Sequence, residues 1–145
     1  MDALKFDKID KSLLVSYKKD NILNEYELEK TSIDSTFGIL KKGIHIKTGK
    51  VRAIKIIFKR RYNFTNFLNM ITIYSKLSHP NITHLYEFFE DKLQYYIVMD
   101  LWTGGNLLNR LCAYKSHFSE IDAGKIMKQV LSAMSYIHSN KIILK

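Results

Sequence analysis

The run Val51–Phe58 constrains the fold of this 145-residue chain more than any other segment. Its residues are mostly β-branched and it ends in an aromatic residue, a composition typical of strands. The tetrapeptide 47–50 just before it contains Gly49, which adopts the positive φ of a tight turn without steric cost. The sequence therefore predicts a strand that pairs, through a hairpin, with the strand before it.

Hydrophobic periodicity predicts four further strands. Weak alternation at 26–30 and an apolar run at 37–46 indicate two strands before Val51–Phe58, so that the three form an antiparallel meander. Aromatic and β-branched residues at 84–89 and 94–99 indicate two more. A sheet of five antiparallel strands is expected.

Helical spacing predicts three helices. The first covers 63–77, and Pro80 after it disfavours continuation of the helix. Two glycines at 104–105 break the chain before a short helix at 106–111. A long helix runs from the N-cap Ser119 to about residue 140. The predicted fold is α+β, with one helix packed on the sheet and two helices after it.

Composition narrows the class of protein. Hydrophobic residues make up 46% and charged residues 26%, as in an ordinary globular domain. The net charge of +9 favours anionic partners but selects no type among nucleotide, nucleic acid, acidic protein and membrane surface. Cys112 is the sole cysteine, which excludes an internal disulfide and a cysteine-based zinc site. The five histidines show no metal-ligand spacing, so no metal site is predicted.

Targeting features are also lacking. No apolar run approaches the ~18 residues that cross a bilayer. The first residues do not have the apolar stretch of a signal peptide, and Asp2 stands where N-myristoylation needs glycine. A cytoplasmic protein without membrane contact is expected.

Four segments in order resemble a protein kinase: the N-terminal lobe and the first helices of the C-terminal lobe. They are 52–55 on the third strand, 79–82 after the first helix, 95–100 at the hinge and 118–132 on the long helix. The runs 85–92 and 103–105 resemble the calcium-dependent protein kinases of plants and apicomplexan parasites.

The resemblance divides the chain into three parts. It implies an N-terminal extension at 1–24, a kinase-like N-lobe and hinge at 25–102, and the start of the C-lobe at 103–145. The helices are then those called αC, αD and αE in the family. The family activity is ATP-dependent phosphorylation of serine and threonine in proteins.

The resemblance also implies a nucleotide site. Lys55 takes the position of the lysine that contacts the α- and β-phosphates. The other implied contacts are Gly38 in the glycine-rich loop, Leu40 and Ala53 in the roof over adenine, Met99 as gatekeeper, Asp100 and Trp102 in the hinge, and Asn106 near the ribose.

Two departures weaken that site. In the glycine-rich window 33–38 only Gly38 is left, because Ile33 and Ser35 replace the first two glycines. Met70 stands where the family has the αC glutamate that pairs with the lysine, and 63–77 contains no acidic residue. Met70 is interpreted as a core residue. ATP binding is expected to be weak or absent.

Catalysis by this chain alone is not expected. The sequence ends where the catalytic loop would begin, so the catalytic Asp and the Mg²⁺ ligands of the family are missing and Mg²⁺ binding is unsupported. With the C-lobe truncated, the αE face would be uncovered, which predicts self-association, a protein partner or αE folded back on the lobe. That face consists of Ile126, Val130, Met134 and Ile137.

Four functions remain open at this stage. The first is a truncated or degenerate Ser/Thr kinase-like domain of the calcium-dependent group, inactive as this chain. The second is a non-catalytic interaction module, a pseudokinase lobe that docks through its αC and αE surfaces. The third is an incomplete frame whose full product is a kinase. A nucleic-acid binder is disfavoured, because 59–61 is a single short basic run.

Overall fold

Six strands form one mixed sheet in the computed structural model, which describes residues 16–35, 38–61, 64–113 and 119–143. The strands are β1 (Ser16–Lys18), β2 (Tyr26–Ser35), β3 (Gly38–His45), β4 (Val51–Phe58), β5 (Leu85–Glu90) and β6 (Gln94–Met99). Their spatial order is β1-β5-β6-β4-β3-β2. Strands β2 to β6 are the five that the sequence predicted, and the four pairings among them are all antiparallel.

The prediction of five strands was incomplete. The sixth strand, β1, pairs with β5 in parallel, with Tyr17 opposite Phe88. It lies in the segment interpreted as an N-terminal extension. Three residues are too few to show a period-two pattern, and side-chain contacts to β5 fix this strand more than its own composition does.

The described part of the chain also contains α1 (Phe64–Ser75), α2 (Leu107–Ala113) and α3 (Glu120–Ser139), and two short 3₁₀ helices, Ile22–Asn24 and Lys59–Arg61. Helices α1, α2 and α3 correspond to the predicted αC, αD and αE. As predicted, Ser119 caps α3, and its hydroxyl accepts the amide of Asp122 at 3.1 Å. None of the helices among the described residues is both long and apolar enough to cross a membrane.

The sheet is buried on both faces. The face on the α1 side packs around Phe67 and Ile71 of the helix, and Ile57 and Ile97 belong to the same cluster. The opposite face is covered by residues from the segment before and at the start of β2 and contains Ile22, Tyr26, Ile54, Ile56, Phe89, Tyr96 and Val98. Because alternate residues of β4 serve the two faces, Lys55 lies on the α1 side.

Helix α3 is attached to the bend between α1 and β5. The ring of His79 stacks on Tyr136 with 5.2 Å between centroids, and the Tyr136 hydroxyl accepts the Ser78 amide at 3.1 Å. The face predicted to be uncovered is smaller than expected, because Ile137 is only 7% exposed. Val130 and Met134 on the same helix remain exposed by 44% and 39%.

Candidate functional site

A cleft of about 330 Å³ lies between the sheet and α1. Its walls combine strand residues, helix residues and one residue of the loop before β5. The lining consists of Leu40, Lys55, Met70, Ile71, Tyr74, Thr83, Leu85, Ile97 and Met99. Most of this surface is apolar, so the cleft suits a flat, poorly hydrated group better than a highly charged one.

Lys55 enters the cleft from β4. It is paired in register with Leu40 of β3 and Ile97 of β6, so all three side chains lie on one face of the sheet. Burial lowers the pKa of Lys55 below its ordinary value, because an ammonium group loses hydration there. A carboxylate close to the amine would act in the opposite direction.

Met70 enters the same cleft from α1. It is half-buried and packs against the core cluster around Phe67 and Ile71, as the interpretation of Met70 as a core residue predicted. It is also a wall of the cleft that Lys55 lines. A thioether cannot form an ion pair with an ammonium group. Among the residues that the structure describes, those lining this cleft include no carboxylate, so they offer no ligand of the kind that Mg²⁺ prefers.

The predicted adenine contacts separate into two groups. Leu40 and Met99 line the cleft, and Ala53 is buried beside them because it pairs in register with Met99. Asp100 and Trp102 instead line a second, more open groove together with the bend that contains His79.

The side chains of the hinge have structural partners. Asp100 accepts hydrogen bonds from the Tyr86 hydroxyl at 2.6 Å and from the His84 amide at 3.0 Å. The Trp102 indole N–H donates to Thr83 at 3.2 Å. The roles predicted for Asp100 and Trp102 involve only backbone groups and stay predictions.

Asn106 lies directly before α2, and its side chain forms a hydrogen bond with the first turn of that helix. Its side-chain oxygen accepts the amide of Asn109 at 2.7 Å, which satisfies one of the free donors of the first turn. The structure places Asn106 outside the residues that line the cleft. Its predicted ribose contact stays a prediction.

Gly38 has a steric role that its place in the glycine-rich window did not reveal. Its φ is +140°, and a Cβ atom built on it would lie 2.1 Å from the carbonyl oxygen of Ile56. No side chain fits between β3 and β4 at this point. Residues 36–37 of the window lie outside the described residues.

Several cleft residues were not predicted as site residues. Ile71 and Tyr74 follow Met70 on the inner side of α1, and Thr83, Leu85 and Ile97 complete the wall. The helical spacing of Met70 and Tyr74 placed them on one face, but nothing in the sequence indicated how far α1 stands from the sheet.

Comparisons with known proteins identify sequences similar to this chain. The protein kinase domain family matches residues 34–145. The chain is 43% identical to calcium-dependent protein kinase 5 of Plasmodium berghei over 86% of this chain and 22% of that protein. It is 38% identical to the calcium/calmodulin-dependent protein kinase cmkA of Emericella nidulans over 88% of this chain and 30% of that protein.

A solved structure of another protein is similar to this chain in its fold. The crystal structure of Rad53 1-466 in complex with AMP-PNP matches with a TM-score of 0.76 and 34% identity, over 81% of this chain and 32% of that one. The chain thus spans less than a third of the length of each of these proteins.

Proposed function

Because the chain belongs to the protein kinase family, we propose that its cleft is a degenerate nucleotide site that does not position phosphates for transfer. The family activity is the ATP-dependent phosphorylation of serine and threonine in proteins, and this lobe is of the calcium-dependent kinase type. One observation carries the proposal: Met70 stands in the cleft that Lys55 lines, where phosphoryl transfer relies on a Lys–Glu ion pair.

The cleft fits the adenine end of a nucleotide better than the phosphate end. Leu40 and Met99, with Ala53 beside them, offer apolar surface for an adenine ring. At the phosphate end the chain offers Lys55, whose burial disfavours the charged form. The described residues that line the cleft include no carboxylate, so they offer Mg²⁺ no ligand of the kind it prefers. These residues therefore suit the adenine end of a nucleotide better than its phosphates.

The proposal is tested by comparing ligands that share adenine but differ in charge. A degenerate site binds adenosine and Mg²⁺·ATP with similar weak affinity, whereas an intact phosphate site strongly prefers ATP. The variant Met70→Glu, with Met70→Gln as the neutral control, tests whether a carboxylate at this position creates that preference.

A second candidate function is protein docking through α3. Apolar side chains on this helix are exposed, with Met127 at 51%, Val130 at 44% and Leu131 at 57%. Apolar patches of this kind mark interfaces. Light scattering tests self-association: a natural chain that dimerises and a Val130→Lys/Leu131→Lys chain that does not would support it, and a monomer at all concentrations would count against it.

A further inference from the structure

The outer edge of β5 holds the dipeptide Tyr17–Lys18 through side-chain contacts on both faces of the sheet. We propose that this edge is a peptide-binding site for an extended segment in which lysine follows an aromatic residue. In this structure β1 occupies the site from within the same chain. The proposal does not depend on nucleotide binding.

The aromatic subsite lies on the α1 side of the sheet. The Tyr17 ring stacks on Phe88 with 4.6 Å between centroids and an angle of 28°. Its hydroxyl donates to Glu90 Oε2 at 2.6 Å. Stacking and a charge-assisted hydrogen bond together select an aromatic residue with a donor at its tip.

The basic subsite lies on the opposite side of the sheet. The Lys18 ammonium contacts the carboxylate of Glu25 and lies 2.9 Å from Glu87 Oε2. It also stands 5.2 Å from the centre of the Phe89 ring, within the range of a cation–π contact. Two carboxylates and an aromatic face favour a cation with a flexible stem.

Two of the three carboxylates of the site, those of Glu87 and Glu90, are held by residues outside β1. The hydroxyl of Tyr26 on β2 donates to Glu87 Oε1. The ammonium of Lys59 lies 2.5 Å from Glu90 Oε1. Because these contacts do not involve Tyr17 or Lys18, both carboxylates stay directed towards the subsites when β1 leaves. A site of this kind is preorganised for its ligand.

Charge and backbone geometry favour a peptide as the occupant. The chain carries a net charge of +9, yet this edge gathers three carboxylates, from Glu25, Glu87 and Glu90. Among the described residues, β1 pairs with three residues of the six-residue strand β5. An exposed sheet edge binds extended peptides through its backbone, and side-chain pockets then give specificity.

A metal ion is a poorer candidate for the same place. One ligand atom each from Glu25, His45 and Glu87 lie within 4.8 Å of one another. The ammonium group of Lys18 already contacts both carboxylates and offsets one of their two negative charges. The closeness of the two carboxylates is therefore explained by their contacts with Lys18.

The test empties the site in the full chain with Tyr17→Ala/Lys18→Ala. A fluorescein-labelled peptide with the sequence of residues 12–21 is then titrated by anisotropy at low salt. We expect saturable binding to the emptied chain and about tenfold weaker binding to the natural chain, where β1 competes at high effective concentration. A Lys47→Ala chain, altered in the exposed β3–β4 turn, should behave as the natural chain does.

Peptide variants test the two subsites separately. Replacing the tyrosine by alanine or the lysine by glutamate in the peptide should each weaken binding about tenfold, and added salt should weaken it further. The proposal is wrong if the folded, emptied chain does not bind the peptide, binds a scrambled peptide equally well, or binds no better than the natural chain. If the emptied chain is unfolded by circular dichroism, the peptide must restore the fold, and failure to do so is equally decisive.

Discussion

Lys55 on β4 and Met70 on α1 line the same cleft, where the protein kinase family has a lysine and a glutamate. Met70 packs into the core beneath α1 and supplies no charge. Burial lowers the pKa of Lys55 below its ordinary value. Residues 55 and 70 keep the positions of the family's lysine and glutamate, but position 70 no longer carries a negative charge.

A carboxylate at position 70 should reverse this effect. In Met70→Glu the nearby negative charge raises the pKa of Lys55, so less of the nucleophilic neutral amine is present at pH 8. We expect Lys55 to react about tenfold more slowly with an acylating reagent, as followed by mass spectrometry. Met70→Gln is the matched neutral control. Equal rates in the Glu and Gln variants would show that residue 70 does not govern this lysine.

Gly38 should tolerate no side chain. In Gly38→Ala the new methyl group meets the carbonyl oxygen of Ile56 at 2.1 Å, and the φ of +140° is unfavourable for alanine. We expect the free energy of unfolding to fall by about 2 kcal/mol or more in urea denaturation. Gly104→Ala is the control, since nothing lies within 4 Å of its built Cβ. Similar stability of both variants would contradict a steric role for Gly38.

Asp91 makes the β5–β6 turn sensitive to acid. Its carboxylate accepts the amides of Leu93 and Gln94, each at 2.7 Å, and the Tyr96 hydroxyl at 2.6 Å. Burial raises the pKa of Asp91, but these hydrogen bonds and the charge of Lys59 outweigh burial and hold it below its usual value. The stabilisation is therefore present above the unfolded pKa of about 3.9 and is lost as pH falls through the folded value.

The variant Asp91→Asn tests this dependence. We expect it to lower the free energy of unfolding by about 1 kcal/mol at pH 7 and to have a smaller effect below pH ~3.5. Glu27→Gln, on the exposed part of β2, should change neither value. Urea titrations across pH give the comparison, and a loss independent of pH would show that the charge of Asp91 is not what stabilises the turn.

The parts of the fold that follow from sequence are those with local periodicity. Strand Val51–Phe58 and helix Phe64–Ser75 were predicted because β-branched residues and helical spacing leave a clear pattern. Strand β1 was missed because Tyr17 and Lys18 are fixed by Glu90 and Glu87, more than 60 residues away in sequence. A local sequence pattern does not reveal a contact between residues so far apart in the chain.

Some features of the candidate site can likewise be predicted from the sequence, and others depend on tertiary packing. The position of Lys55 follows from the strand that carries it, and the absence of an acid at Met70 is visible in the sequence. That Thr83 and Tyr74 join them in one cleft depends on the packing of α1 against the sheet. The burial of Ile137 depends on tertiary packing in the same way, so the periodicity of α3 could not reveal it.

The most direct test of the degenerate site is isothermal titration of the chain with adenosine and with Mg²⁺·ATP under identical conditions. We expect the two ligands to bind with affinities within about threefold of each other, or neither to bind, because the phosphates gain no stabilisation. ATP binding more than about tenfold tighter than adenosine, about 1.4 kcal/mol, with Lys55→Ala removing the difference, would show that the phosphate site is intact.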